Sequence, residues 1–127
     1  MATNLDTVLA FTAAWNALDQ ARILDLLDDA AVWENVPIEV LSGKPAIARK
    51  LAAVFAAVKA IDWQMLDIAQ SATGAVLTER LDVIDLGDRH VSLRIMGIFE
   101  LHGGRITAWR DYFDLAQYRQ QMGAAQW

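Results

Sequence analysis

The sequence predicts an α+β domain, a curved antiparallel or mixed sheet with helices packed across one face. Three observations lead there. Apolar residues recur at helical spacing through the first half of the chain and at strand spacing through the second. The turn signals Thr73–Gly74, Gly87–Asp88 and Gly103–Gly104 cut the second half into strand-length pieces. The chain has 127 residues, 55% of them hydrophobic, which is enough for one closed core. No repeat, linker or low-complexity segment divides it, so residues 1–127 read as a single domain.

Each element has its own reason. "NLDTVLAFTAAWNALD" places Leu5, Val8, Leu9, Ala13 and Trp15 at near-helical spacing, with Asn4 as candidate N-cap. "DQARILDLLDD" continues the period through Ile23, Leu26 and Leu27 and predicts a second helix. "AVWENVPIEV" is short, β-prone and interrupted by Pro37, which suits an edge strand or a strand end. "SGKPAIARKLAAVFAAVKAI" reads as a turn and then the longest helix, with Pro45 near its first turn. "WQMLDIAQSAT", "AVLTERLDVIDL", "HVSLRIMGIFEL" and "RITAWRDYFDL" read as a meander of strands. Asp114 then caps a short closing helix, "LAQYRQQMG". Helices closing such a sheet leave a cone whose concave side can hold a small molecule.

Composition excludes several function classes. A formal net charge of −5 without a basic block argues against nucleic acid or an anionic membrane as partner. No apolar run approaches the roughly 18 residues of a membrane span. The absence of Cys excludes disulfides and thiolate chemistry. The N-terminus lacks a basic n-region followed by an apolar stretch, so a cytoplasmic location is the expectation. The apolar excess suggests a ligand cavity, a homodimer interface, or both.

Side chains two apart on a strand share a face, roughly 6.5–7 Å from each other. Arg80, Asp82 and Ile84 therefore lie together, as do Trp109, Asp111 and Phe113. Leu93, Ile95, Gly97 and Phe99 form an apolar row, and Trp33 shares a face with Asn35. If these rows line the concave side, two carboxylates, a guanidinium and an amide sit in an apolar cavity. Taken alone, the alternation fits a solvated surface strand better than a buried site, and Asp111 fits a turn cap better than a base. If they are buried, an Arg between two Asp can satisfy both through charge-assisted bonds. Two carboxyls sharing one cation need not titrate alike, so one can act as acid and the other as base.

These residues also meet a family pattern. "TERLDV", "MGIF" and "ITAWRDYFDL", preceded by "VWENVP", resemble the limonene-1,2-epoxide hydrolase family, within the nuclear-transport-factor-2-like fold and the SnoaL-like superfamily. The resemblance runs in order over nearly the whole chain. It implies an Asp–Arg–Asp triad and a one-step, metal-free hydrolysis without cofactor or covalent ester. Its substrate is expected to be a small apolar, cyclic or terpene-like epoxide. By position Asp82 resembles the general acid, Arg80 the bridge, Asp111 the base that activates water, and Asn35 the amide that helps hold that water. Trp33 is a departure. The family has Tyr there, with a hydroxyl that helps place the water, whereas an indole N–H can only donate.

Val54, Phe55 and Val58 on the long helix, with Ile84, Leu93, Ile95 and Phe113, are the candidate substrate-binding wall; the helix row is first a packing stripe and only second a cavity wall. His90 and His102 flank turns without metal-ligand spacing, so no metal site is expected. Two other functions fit the same scaffold. One is a SnoaL-like cyclase or ketosteroid-isomerase-like proton shuttle; the other is a non-catalytic module that binds a hydrophobic ligand.

Overall fold

A computed structural model describes residues 2–123. Helix α1 spans Asn4–Asn16 and α2 Gln20–Asp25. They are followed by β1 (Leu27–Asn35), β2 (Glu39–Ser42), α3 (Lys44–Ala57), β3 (Ala60–Gln70), β4 (Val76–Asp85), β5 (His90–His102), β6 (Arg105–Tyr112) and α4 (Leu115–Met122). The six strands form one sheet in the order β2-β1-β6-β5-β4-β3. Every neighbouring pair is antiparallel except β1 with β6, so the sheet is mixed. Register shifts interrupt β1–β6, β3–β4 and β5–β6. Such irregularities bend a sheet and increase its twist, here toward a concave side.

Helix α1 packs on β3, α3 on β1 and α4 on β5, all across that side. The core between the layers is unusually aromatic. Phe11 and Trp15 of α1 meet Trp63, Phe99 and Trp109 of the sheet, mostly edge to face. Such pairs add roughly 0.5–1.5 kcal/mol each beyond area burial. A smaller cluster of Val91, Leu93, Ile95 and Met122 seats α4 against the sheet. Gln121 locks it by accepting from Ser92 N (2.6 Å) and donating to Ser92 O (2.9 Å).

Four expectations are corrected in detail. Thr3, not Asn4, caps α1, because it forms a reciprocal capping box with Asp6. Asn4 instead donates to Gly74 O at 2.9 Å. The buried stripe of α1 runs through Val8, Phe11 and Trp15, while Leu9 is exposed. The second helix stops at Asp25, and Leu27–Asp29 open β1, where Leu27 buries completely. The segment read as an edge strand or a strand end is both in part: β1 ends at Asn35 but lies inside the sheet between β2 and β6, while Glu39 and Val40 open β2, which forms the edge. Pro37 stands in the turn after Asn35, where it deprives no ladder of a donor.

Candidate active site

Strand alternation carries Thr78, Arg80 and Asp82 onto the concave face of β4 and Trp109 and Asp111 onto that of β6. Strand β5 lies between them, and its residue opposite both Thr78 and Asp111 is Gly97. With no side chain there, Arg80 reaches across β5. Its guanidinium forks onto Asp82 through Nε (3.0 Å) and Nη2 (2.9 Å), and onto Asp111 through Nη1 (3.2 Å) and Nη2 (3.0 Å). Nη1 also donates to Thr78 Oγ1 at 3.2 Å. The five guanidinium N–H groups thus find five acceptor contacts, which is what a fully buried Arg requires. On its face the cation rests 4.3 Å from the Trp63 ring centroid.

The surface-strand alternative fails on these numbers. Arg80 is 0% exposed, Asp82 3% and Asp111 4%. Burial opposes the charge on Arg80, but the two carboxylates outweigh it and hold the cation more firmly than usual. Burial also dominates at Asp82. It pushes that carboxyl up to about 6, against the pull of Arg80 and helped by the charge of Asp111. Asp111 is held differently, since its Oδ1 accepts from Trp109 Nε1 at 3.0 Å as well as from Arg80. Its Oδ2 accepts only the Arg80 bond among the described residues and keeps a lone pair free.

Beside the triad lies a cavity of about 90 Å³ whose lining includes Asp82, Asp111 and Asn35. Val54, Ile84, Leu93, Ile95 and Phe113 form much of its wall, as their faces predict. Phe55 and Val58 are not on that wall. Phe55 sits edge-on to Trp15 at 5.5 Å, and Val58 is buried where α3 ends. A helix shows only part of its apolar stripe to a cavity, and these two fall on the packing side. Trp33 lines the cavity with its ring stacked flat on Trp109 (4.4 Å, 4°), and its Nε1 is buried without a hydrogen-bond partner among the described residues.

Sequence reading missed the supports rather than the triad. Thr78 shares the Arg80 face by simple alternation, and Trp109 stands two residues before Asp111. Gly97 carried the clearest unused signal, because a glycine inside a strand often marks close backbone approach. A Cβ there would lie 2.6 Å from Arg80 Nη1 and 2.7 Å from Asp111 Oδ1. We expect Gly97→Ala to destabilise the protein by about 1–3 kcal/mol. It should also break the Arg80–Asp111 fork, so activity falls further than thermal denaturation alone accounts for.

The family model of the limonene-1,2-epoxide hydrolase catalytic domain matches residues 2–123. This chain belongs to that family. It is 34% identical over 110 residues to the epoxide hydrolase EphG of Mycobacterium tuberculosis, covering 85% of this chain and 71% of that one. A solved structure of a limonene-epoxide-hydrolase-like epoxide hydrolase from M. tuberculosis superposes with a TM-score of 0.83 at 32% identity, over 94% of this chain and 89% of that one. A nuclear-transport-factor-2-like protein from Burkholderia pseudomallei reaches a TM-score of 0.84 at 17% identity, over 98% and 100% of the two chains, and shows the fold alone. The fold expected from the sequence is the one found, and the family resemblance holds over the full described chain.

Proposed function

We propose that this family member adds water across a small apolar epoxide in one step, using Asp82 as acid and Asp111 as base. The observation that carries the reading is the burial of both carboxyls on one guanidinium, with burial raising the proton affinity of Asp82. A water held by Asp111 Oδ2 and the Asn35 amide attacks an epoxide carbon and gives its proton to Oδ2. As that carbon–oxygen bond breaks, Asp82 delivers its proton to the departing oxygen, and a vicinal diol results. Asp111 then loses a proton and Asp82 regains one, so the enzyme is restored. Arg80 stays charged throughout and stabilises whichever carboxylate is ionised.

Trp33 lines the same cavity as Asn35 and Asp111, and its indole N–H can donate to a bound water but not accept from it, so accepting the water's proton is left to Asp111. The cavity of about 90 Å³ favours small-ring epoxides over bulky ones. An isomerase or cyclase needs one base and an oxyanion donor, and leaves the second buried carboxyl without a task.

Hydrolysis of a cyclohexene-type epoxide to diol, followed against pH, tests the proposal. Asp82 must be protonated and Asp111 ionised. Hence kcat/KM should fall as pH rises through about 6, where Asp82 loses its proton. The same shift has a stability consequence. The folded protein holds a proton that the unfolded chain releases near 3.8, so this stabilisation is complete below 3.8 and lost as pH rises through about 6. Thermal stability should therefore gain between pH 7 and pH 5 relative to Asp82→Asn.

We also propose a homodimer formed through the outer sheet face around Arg94, Met96 and Ile98. Met96 and its cross-strand partner Tyr112 are 48% and 47% exposed there. A monomer by sedimentation at micromolar concentration would contradict it.

A further inference from the structure

The triad is supported from outside the cavity as well as from its strands. Strand β3 is a sheet edge, so among the described residues one side of its backbone has no neighbouring strand. At Trp63 the last residue of α1 takes that place: Trp63 N donates to Asn16 Oδ1 (2.7 Å), and Asn16 Nδ2 donates to Trp63 O (3.3 Å). A single side-chain amide thus reproduces the donor–acceptor pair of a β-ladder. Two residues further on, Leu18 adopts φ 54, a left-handed conformation rare for Leu, in the turn that ends α1. The clamped Trp63 is the cross-strand partner of Asp82. One of its faces stacks on Trp15 (4.7 Å, 17°), and the Arg80 guanidinium lies over its ring at 4.3 Å.

We propose that Asn16 and Trp63 are positioning residues for the acid: Asn16 pins the β3 edge so that Trp63 caps Arg80 and keeps water off the triad. The idea rests on the acid role assigned above to Asp82. A planar ring over the guanidinium restrains it to the plane in which its forks reach both carboxylates, without offering a competing acceptor. The cap also excludes solvent from Asp82, and loss of solvent is the chief cause of its raised proton affinity. The charged groups bearing directly on Asp82 are Arg80 from β4 and Asp111 from β6. Its cross-strand partners from β3 and β5, Trp63 and Leu93, are uncharged. Glu39, Lys50 and Tyr118 line the same cavity from β2, α3 and α4.

The test compares Asn16→Ala, Trp63→Ala and Trp63→Phe by the pH dependence of kcat and kcat/KM on a cyclohexene-type epoxide. In parallel, the Asp82 carboxyl is titrated by 13C NMR. For Trp63→Ala we expect kcat to fall about tenfold and the alkaline limb to move down by about one pH unit, as water returns to Asp82. Trp63→Phe, which keeps an aromatic face, should restore most of both. Asn16→Ala, which touches neither cavity nor triad, should move the limb in the same direction by less. A folded Trp63→Ala with an unmoved limb and only a raised KM would overturn the proposal and leave Trp63 as pocket wall. If Trp63→Ala does not fold, Asn16→Ala decides, and an unchanged limb and NMR midpoint overturn the idea. The NMR midpoint needs no substrate. A shifted midpoint in a protein inert toward epoxides supports the clamp and sinks the hydrolase reading instead.

Discussion

Asp82→Asn and Asp111→Asn should each lower kcat by about 10²–10⁴-fold, the usual worth of a positioned acid or base. The double substitution should cost little more than either single one. Both groups act in the same transition state, and residues that act as a unit are far from additive. The two variants should differ in their folding, however. Asn at 82 removes a carboxyl that burial already disfavours as an anion, whereas Asn at 111 also disturbs the bond from Trp109 Nε1. Thermal denaturation alongside the kinetics separates loss of chemistry from loss of structure. Equal kcat values for either variant and wild type would remove the acid–base pair from the account.

Arg80 carries the second large effect. Arg80→Lys keeps the charge but replaces five donors in a rigid plane with three on one nitrogen, which cannot fork onto Asp82 and Asp111 together. We expect activity to drop about 10²-fold or more, since both carboxyls lose their fixed orientation. Arg80→Met removes the cation altogether and leaves two buried carboxyls facing each other. Breaking a buried pair in this way costs roughly 3–5 kcal/mol. Part of that loss should return at pH 5, where a shared proton relieves the repulsion.

Strand alternation alone puts Arg80 on a face with Asp82, and Trp109 on a face with Asp111; joining Asp111 to the other two as a triad rests on the family resemblance. What alternation cannot tell is whether that face is dry. That depends on how the helices close over the sheet and on Gly97 letting Arg80 cross β5, a relation between three strands that no local pattern contains. The same limit explains the strand ends. Leu26 and Leu27 continue a helical period, yet Leu27 is drawn into β1 by pairing with Ile106, far along the chain. Phe55 and Val58 share a helical stripe with Val54, and only tertiary packing decides which of the three sees the cavity. Asn16 gave no signal at all, because a polar residue at a helix end has many ordinary reasons to be there.

A single-turnover reaction in ¹⁸O-labelled water, with enzyme in excess over a cyclohexene-type epoxide, tests the central claim most directly. If Asp111 activates water while Asp82 protonates the epoxide oxygen, the first diol formed carries the label and no label enters the protein. An unlabelled first-turnover diol, with ¹⁸O recovered in the Asp111 or Asp82 carboxyl, would mean that a carboxylate attacks the ring itself and would contradict one-step addition.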